Sequence, residues 1–435
     1  MVVRGGRPVG GRLRPSGNKN AALPLLAATL LTDEEVVLSN VPDIGDVRTL
    51  LRLLEGLGKT VQRQDVDRWS IHGGLTHGSP DREECARIRA SILLAGPLLA
   101  RCGEVDLPSP GGDVIGRRRL DTHILAFESL GASAYLRPEG LRLDCGDLRG
   151  AEIFLDEPSV TGTENAILAA ALAQGHTTLL NAASEPHVQE LCVLLNAMGA
   201  RILGIGSNRL EIEGVERLHG ARYEVGPDLI EIGSLLALSA ATRGELELDG
   251  VCLEDLRAAR IGFARLGVRF DLEAKQDQLR STCRGRHTLH LSSQQRLEVQ
   301  CDLGGAIPKI DDGPWPGFPA DLLPLMVVLA TQCAGTVLIH EKLFESRLFF
   351  TDRLCGMGAR LVLCDPHRVI SSGPSKLTGQ ELSSPDIRAG MALLIAALCA
   401  EGTSTIHNAR QIDRGYVDIV ERLGALGADL QRVPR

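Results

Sequence analysis

The stretch AGMALLIAALCAEGTSTI, residues 389–406, decides the fold. Its first twelve residues are small or apolar with no charge among them, and such a helix must be buried on every side. Gly402 then supplies a turn of the kind that ends a helix in a left-handed residue. Beyond it the alternation up to Ile406 has the period of a half-buried strand. The same helix-turn-strand pattern recurs at residues 21–38, 90–107, 162–179, 231–248 and 322–339, with Gly103, Gly175, Gly244 and Gly335 at the turn and Asp33 in the first copy.

A second marker follows each copy, a helix ending in Leu/Met-Gly-Ala or a close variant at Gly58, Gly131, Gly199, Gly267, Gly358 and Gly427. Two markers in register through all six copies make the repeat structural rather than a coincidence of common strings. Adjacent markers lie 68 to 73 residues apart except for the 91 between Gly267 and Gly358, so the fifth unit carries a polar insertion over about residues 275–319. Each unit predicts two helices and three or four strands. Six units predict an α/β protein of two domains, three units each.

Composition agrees and narrows the function. At 435 residues and 44% apolar content the chain exceeds ordinary single-domain size. Its formal charge of -8 offers no basic field for nucleic acid. The eleven cysteines contain no CxxC pair or zinc spacing, and Cys192, Cys333 and Cys399 read as reduced core residues. Met1-Val2-Val3-Arg4-Gly5-Gly6 lacks the apolar core of a signal peptide, and no window reads as a membrane span. The expectation is a cytoplasmic enzyme without metal or cofactor.

Fourteen residues before each turn marker, in the first turn of each first helix, stand Lys19, Arg89, Thr161, Ile230, Asp321 and Arg388. Arg89 shares a helical stripe with Cys85, Ile92 and Leu93, and Arg388 with Met391, Ala392 and Ile395. A cation on an apolar stripe needs an anion, because burying it alone costs several kcal/mol. An internal salt bridge satisfies that need at any one position. Three cations and a carboxylate at equivalent helix starts point instead to a shared anion site, helped by the free N–H groups there. The loop Gly111-Gly112-Asp113-Val114-Ile115-Gly116-Arg117-Arg118-Arg119, the strings Glu345-Ser346-Arg347 and Asp413-Arg414-Gly415-Tyr416, the pair Trp315 and Phe318, and His123 are each compatible with plain surface or core roles.

Ser16-Gly17-Asn18-Lys19-Asn20-Ala21-Ala22-Leu23-Pro24, Arg89-Ala90-Ser91-Ile92, the 111–123 loop, Phe318-Pro319-Ala320-Asp321, Phe344-Glu345-Ser346-Arg347, Asp386-Ile387-Arg388-Ala389 and Ile412-Asp413-Arg414-Gly415-Tyr416 together resemble, in order, the motifs of the enolpyruvyl transferase family. Within it they resemble the members that use UDP-N-acetylglucosamine. The resemblance covers almost the whole chain. It implies two inside-out α/β barrels of three repeats, residues 19–227 forming the first and 1–18 with 228–435 the second, with substrates in a cleft that closes over them.

The resemblance also implies roles. Lys19, Arg118 and Arg414 would hold the phosphate of phosphoenolpyruvate, Arg347 and Arg388 its carboxylate, with Arg89 nearby. Asp113 would protonate C3, and Asp321 would act on the sugar hydroxyl. Arg119, Leu120, Asp121, Thr122 and His123 would meet uridine, with Ser159, Val160 and Thr161 at the diphosphate and Asn20, Asp321 and Leu343 near the sugar and nucleotide; Arg89 and Arg118 would border this acceptor as well. Most described members carry Cys at Asp113, which implies resistance to fosfomycin, a thiol-alkylating inhibitor. Gly45 and Glu157 stand where some members have Lys, Leu229 replaces an Arg after Asp228, and Glu231 is expected to serve as a closure partner. UMP or shikimate 3-phosphate as acceptor, or a non-catalytic UDP-sugar-binding regulator, are the alternatives.

Overall fold

The computed structural model describes residues 1–112, 116, 119–274 and 287–433. The chain divides into two compact units. One is formed mainly by Gly17–Asp113 and Arg118–Gly226, the other mainly by Met1–Ser16 and Pro227–Arg435; they are called here the Lys19 unit and the Asp321 unit.

Each unit is built around three helices. In the Lys19 unit these are α1 (Lys19–Ala28), α2 (Ala95–Cys102, entered through the 3-10 turn Arg89–Leu94) and α3 (Val160–Ala170). In the Asp321 unit they are α4 (Leu229–Ala241), α5 (Leu323–Thr331, entered through Ala320–Leu322) and α6 (Ile387–Cys399). Every residue of α4 and α5 is buried, as the absence of a polar stripe requires. The outer helices, such as Gly45–Gly56 and Pro186–Ala197, bury one face and expose the other. Each buried Leu contributes about 2 kcal/mol by leaving water, so the inner helices anchor both cores.

The described residues form six sheets, and their topology repeats. In five of them a strand following an inner helix pairs parallel on one side and antiparallel on the other, as Gly335–His340 does with Lys309–Asp311 and Arg368–Gly373. The sixth, containing Glu104–Pro108, has three strands and no parallel partner among the described residues. Val2–Arg4 completes the last sheet between Thr403–His407 and Asp429–Gln431, so the chain's first strand closes its final repeat.

The second markers all adopt positive φ: Gly58, Gly131, Gly199, Gly267, Gly358 and Gly427 lie between 78° and 106°. The first markers are less uniform. Gly103, Gly175, Gly335 and Gly402 are left-handed, but in the fourth copy Arg243 takes that conformation at φ 61°. Gly244 is needed for another reason, since a Cβ there would stand 1.9 Å from the Val9 carbonyl oxygen.

Cys192 and Cys333 lie in the cores with thiols pushed up to about 12 by burial, while Cys399 is half-buried. Phe318 packs in the core against Gly262, and Trp315 borders the same cluster. No helix among the described residues is long and apolar enough to cross a membrane.

Candidate active site

The six helix starts fall in the first turns of the six inner helices or of the 3-10 turns leading into them. Asn18 caps α1, its side chain accepting from the backbone N–H groups of Asn20 and Ala21. Lys19 follows, 8% exposed, and its Nζ lies 2.7 Å from Asp46 Oδ2 in the first turn of Gly45–Gly56. Arg89, half-buried, donates through Nη2 to the Arg119 carbonyl at 3.4 Å. Arg119 itself is exposed and pairs with Asp121 at 2.9 Å. Asp113 and Arg118 lie outside the described residues.

The next turn of the same unit is inward-facing. Thr122 Oγ1 donates to Asp156 Oδ1 at 2.7 Å, and a Cβ on Gly162 would stand 2.9 Å from the Thr122 methyl, so glycine lets helix α3 approach. His123 is 1% exposed, with Nδ1 accepting from Asn165 Nδ2 at 2.9 Å and Nε2 therefore donating to Thr161 Oγ1 at 3.2 Å. Burial, reinforced by the charge of Arg89, pushes His123 down to about 3 and keeps it neutral. Ser159 caps α3 by accepting from the Gly162 N–H, placing Val160 and Thr161 at the helix start. Leu120 is half-buried beside these groups in sequence, and Glu157 is exposed.

In the Asp321 unit, Arg347 and Arg388 converge on one carboxylate. Asp321 Oδ1 lies 3.0 Å from Arg347 Nη1, and Oδ2 lies 2.9 Å from both Nε and Nη2 of Arg388. Arg347 is 3% exposed and stacks on Phe344 at 4.6 Å, so it is no surface ion pair. Arg388 is 6% exposed with its guanidinium 5.6 Å from the Tyr416 ring, whose hydroxyl shares a 2.8 Å hydrogen bond with Ser234. Burial opposes the charge on Arg388, but Asp321, Tyr416 and Asp228 outweigh it and hold its proton more firmly than usual. Nε of Arg347 and Nη1 of Arg388 are buried without a well-formed hydrogen bond, and Nη1 of Arg347 makes only its ion pair with Asp321 among the described residues. Two cations thus share Asp321 and retain buried N–H groups without well-formed hydrogen bonds, which suit a further anion.

Arg414 donates to Gln411 Oε1 at 3.0 Å, and the following Gly415 lies against the start of α6, where a Cβ would stand 3.6 Å from Arg388 Nη1. Leu343 is 45% exposed, and its N–H donates to Asp312 Oδ2 at 3.3 Å.

Glu231 corrects one expectation. Its Oε2 accepts from both N and Oγ of Ser16 at 2.6 Å, and its Oε1 pairs with Arg422 at 2.7 Å. Both oxygens are committed inside their own unit, so Glu231 ties the segment that follows Gly11–Leu13 to the start of α4 and to Arg422. Neighbouring Asp228 caps α4, and Leu229 is buried where an Arg was the reference. Sequence reasoning missed Asp46, Asp156, Asn165, Asp312 and Glu341, none of which stands in a conspicuous motif. Among the described residues no cluster of His, Cys, Asp or Glu could hold a metal.

Helix-cored units carrying mixed sheets define an inside-out α/β barrel protein, with buried cations Lys19 and Arg388 at two of the helix starts. Residues 3–423 match the family described as EPSP synthase (3-phosphoshikimate 1-carboxyvinyltransferase). Two UDP-N-acetylglucosamine 1-carboxyvinyltransferases are similar over full length: that of Treponema denticola is 53% identical over 99% of this chain and 98% of its own, and that of Bradyrhizobium diazoefficiens is 54% identical over 100% and 98%. Among solved structures, the enolpyruvyl transferase NikO from Streptomyces tendae shares the fold at TM-score 0.85, with 24% identity over 98% of this chain and 97% of that one. The chain belongs to the EPSP synthase family.

Proposed function

We propose that the chain transfers the enolpyruvyl group of phosphoenolpyruvate to the 3'-hydroxyl of UDP-N-acetylglucosamine, releasing phosphate, as the first committed step of peptidoglycan synthesis in the cytoplasm. The observation that carries the reaction is the pair of buried arginines sharing Asp321 and retaining buried N–H groups without well-formed hydrogen bonds. The names of the full-length relatives support the acceptor.

The reaction adds the sugar oxygen to C2 of phosphoenolpyruvate and a proton to C3; C3 then gives up a proton to a base as the C2–O bond to phosphate breaks, which re-forms the alkene and releases phosphate. Arg347 and Arg388 take the carboxylate, whose planar geometry their forks match. Lys19, Arg118 and Arg414 take the phosphate, and Arg89 borders both substrates. Asp321 receives the hydroxyl proton, and Asp113 delivers the proton to C3. Arg119, Leu120, Asp121, Thr122 and neutral His123 line the uridine, Ser159, Val160 and Thr161 the diphosphate, and Asn20 and Leu343 the sugar and nucleotide.

Phosphate release from phosphoenolpyruvate, measured with UDP-N-acetylglucosamine, UMP, shikimate 3-phosphate or no acceptor, tests this reading. Release dependent on the UDP-sugar alone is expected, and no acceptor-dependent phosphate would reduce the chain to a binding protein. In the same assay fosfomycin leaves activity intact, because Asp113 offers no thiolate to alkylate. A covalent adduct on Asp113 in mass spectra would refute that.

A further inference from the structure

Glu341 follows the strand Gly335–His340, and Asp312 follows its parallel neighbour Lys309–Asp311, so both carboxyls stand at the C-terminal ends of paired strands. Asp312 accepts from the N–H groups of Lys342 at 2.5 Å and Leu343 at 3.3 Å, and its charge serves that turn. Glu341 is 0% exposed, and neither of its oxygens has a well-formed hydrogen bond. Its Oε2 lies 4.0 Å from Nε of Arg347, on the arginine whose Nη1 meets Asp321.

An ionised carboxylate so deeply buried would have to pair with Arg347. The charge balance speaks against that pairing. Arg347 and Arg388 already share Asp321, and Asp228 adds a second carboxylate acting on Arg388. An ionised Glu341 would add one more carboxylate to this cluster and compete with a substrate anion for Arg347.

We infer that Glu341 is a positioning residue which, as a neutral carboxyl wedged between Asp312 and Arg347, braces the guanidinium and leaves its charge to the carboxylate of the substrate. This rests on the assignment of Arg347 to the phosphoenolpyruvate carboxylate. Burial is the main reason Glu341 keeps its proton: it is pushed up to about 9, against the pull of Arg347, with Asp312 adding by charge and by a looser hydrogen bond and Asp321 adding by charge. His367, in the turn before Arg368–Gly373, meets the Glu341 backbone: its Nδ1 donates to the carbonyl at 2.8 Å and its own carbonyl accepts from the Glu341 N–H at 2.8 Å.

The sign of the pH dependence follows. Below about 9 Glu341 is neutral and Arg347 is available; above it Glu341 ionises and competes for the same guanidinium. The second phosphate ionisation of the substrate, near pH 6, is complete throughout this range.

The test is calorimetric titration of the full chain with phosphoenolpyruvate alone, for wild type, Glu341→Ala and Glu341→Gln. Glu341→Ala removes the brace and weakens binding about tenfold, the scale of loss when a binding group is misplaced. Glu341→Gln, which stays neutral and can donate to Asp312 while offering an oxygen to Arg347, restores most of that loss. Wild-type affinity falls several-fold between about pH 8 and about pH 10, whereas Glu341→Gln shows no such alkaline fall. A brace that only held the fold would give no difference in pH profile between wild type and Gln. The inference is overturned by equal alkaline losses in both, by Glu341→Ala binding as tightly as wild type, or by a wild type that does not bind phosphoenolpyruvate. A wild type that binds phosphoenolpyruvate with this profile yet releases no acceptor-dependent phosphate sustains the brace and removes the proposed reaction.

Discussion

The Lys19 unit and the Asp321 unit treat a buried cation at a helix start in different ways. Lys19 faces a carboxylate within its own unit, Asp46, at 2.7 Å, and the two side chains are 10% and 8% exposed. Arg347 and Arg388 must share Asp321, which is 26% exposed. An anion reaching Lys19 must join or open an existing ion pair, whereas Arg347 and Arg388 already share Asp321 and hold buried N–H groups without well-formed hydrogen bonds. The difference shows that a cation's position in the repeat does not set its availability. The neighbouring helix or turn does that by supplying or withholding a carboxylate.

The comparison breaks first at Asp321. Asp321→Asn keeps the shape but loses both the shared charge and the proton acceptor, and kcat/KM for acceptor-dependent phosphate release falls by about 10²- to 10⁴-fold. Full retention of activity would show that the shared carboxylate is only a counter-ion. Removing the partner of Lys19 acts on stability more directly. Asp46→Asn leaves Lys19 buried with less compensation and costs about 3 kcal/mol, read from the urea midpoint at constant slope; a shift no larger than that of an exposed substitution would mean Lys19 finds equal partners elsewhere.

The smallest effect concerns His123, which stays neutral in the Lys19 unit. Its folded value of about 3 lies below the ordinary 6.5, so the unfolded chain takes up a proton that the folded chain refuses. The stability it contributes is full above 6.5 and is lost as the pH falls from there toward about 3. The wild-type urea midpoint is therefore expected to drop between about pH 7 and about pH 5, and more steeply than that of His123→Gln, whose replacement side chain never charges. Parallel slopes would show that His123 does not drive the acid sensitivity.

Much of this architecture was legible in the chain because the repeat writes itself twice per unit. Apolar runs such as 389–400 can only be core helices, and the Leu/Met-Gly-Ala endings demand a left-handed glycine that all six copies adopt. The helix starts were legible for the same reason, since Lys19, Arg89, Asp321 and Arg388 sit at one register of one pattern. Glu231 was misread because its partners, Ser16 and Arg422, lie 215 and 191 residues away and no local pattern announces them. Glu341 was not singled out, because a lone Glu after a strand is usually a solvated residue.

The sequence by itself determined six helix-and-strand units, two groups of three, and charged residues at equivalent helix starts, because periodicity and glycine placement are local properties that each segment carries with it. Only the tertiary structure decided which of those charges are spent. Pairing depends on which carboxylate a distant strand or turn delivers to within about 3 Å, and proton affinity depends on how completely the surrounding core excludes water. Lys19 and Arg388 look alike along the chain, and their different fates are set by Asp46 in one fold context and Asp321 in the other.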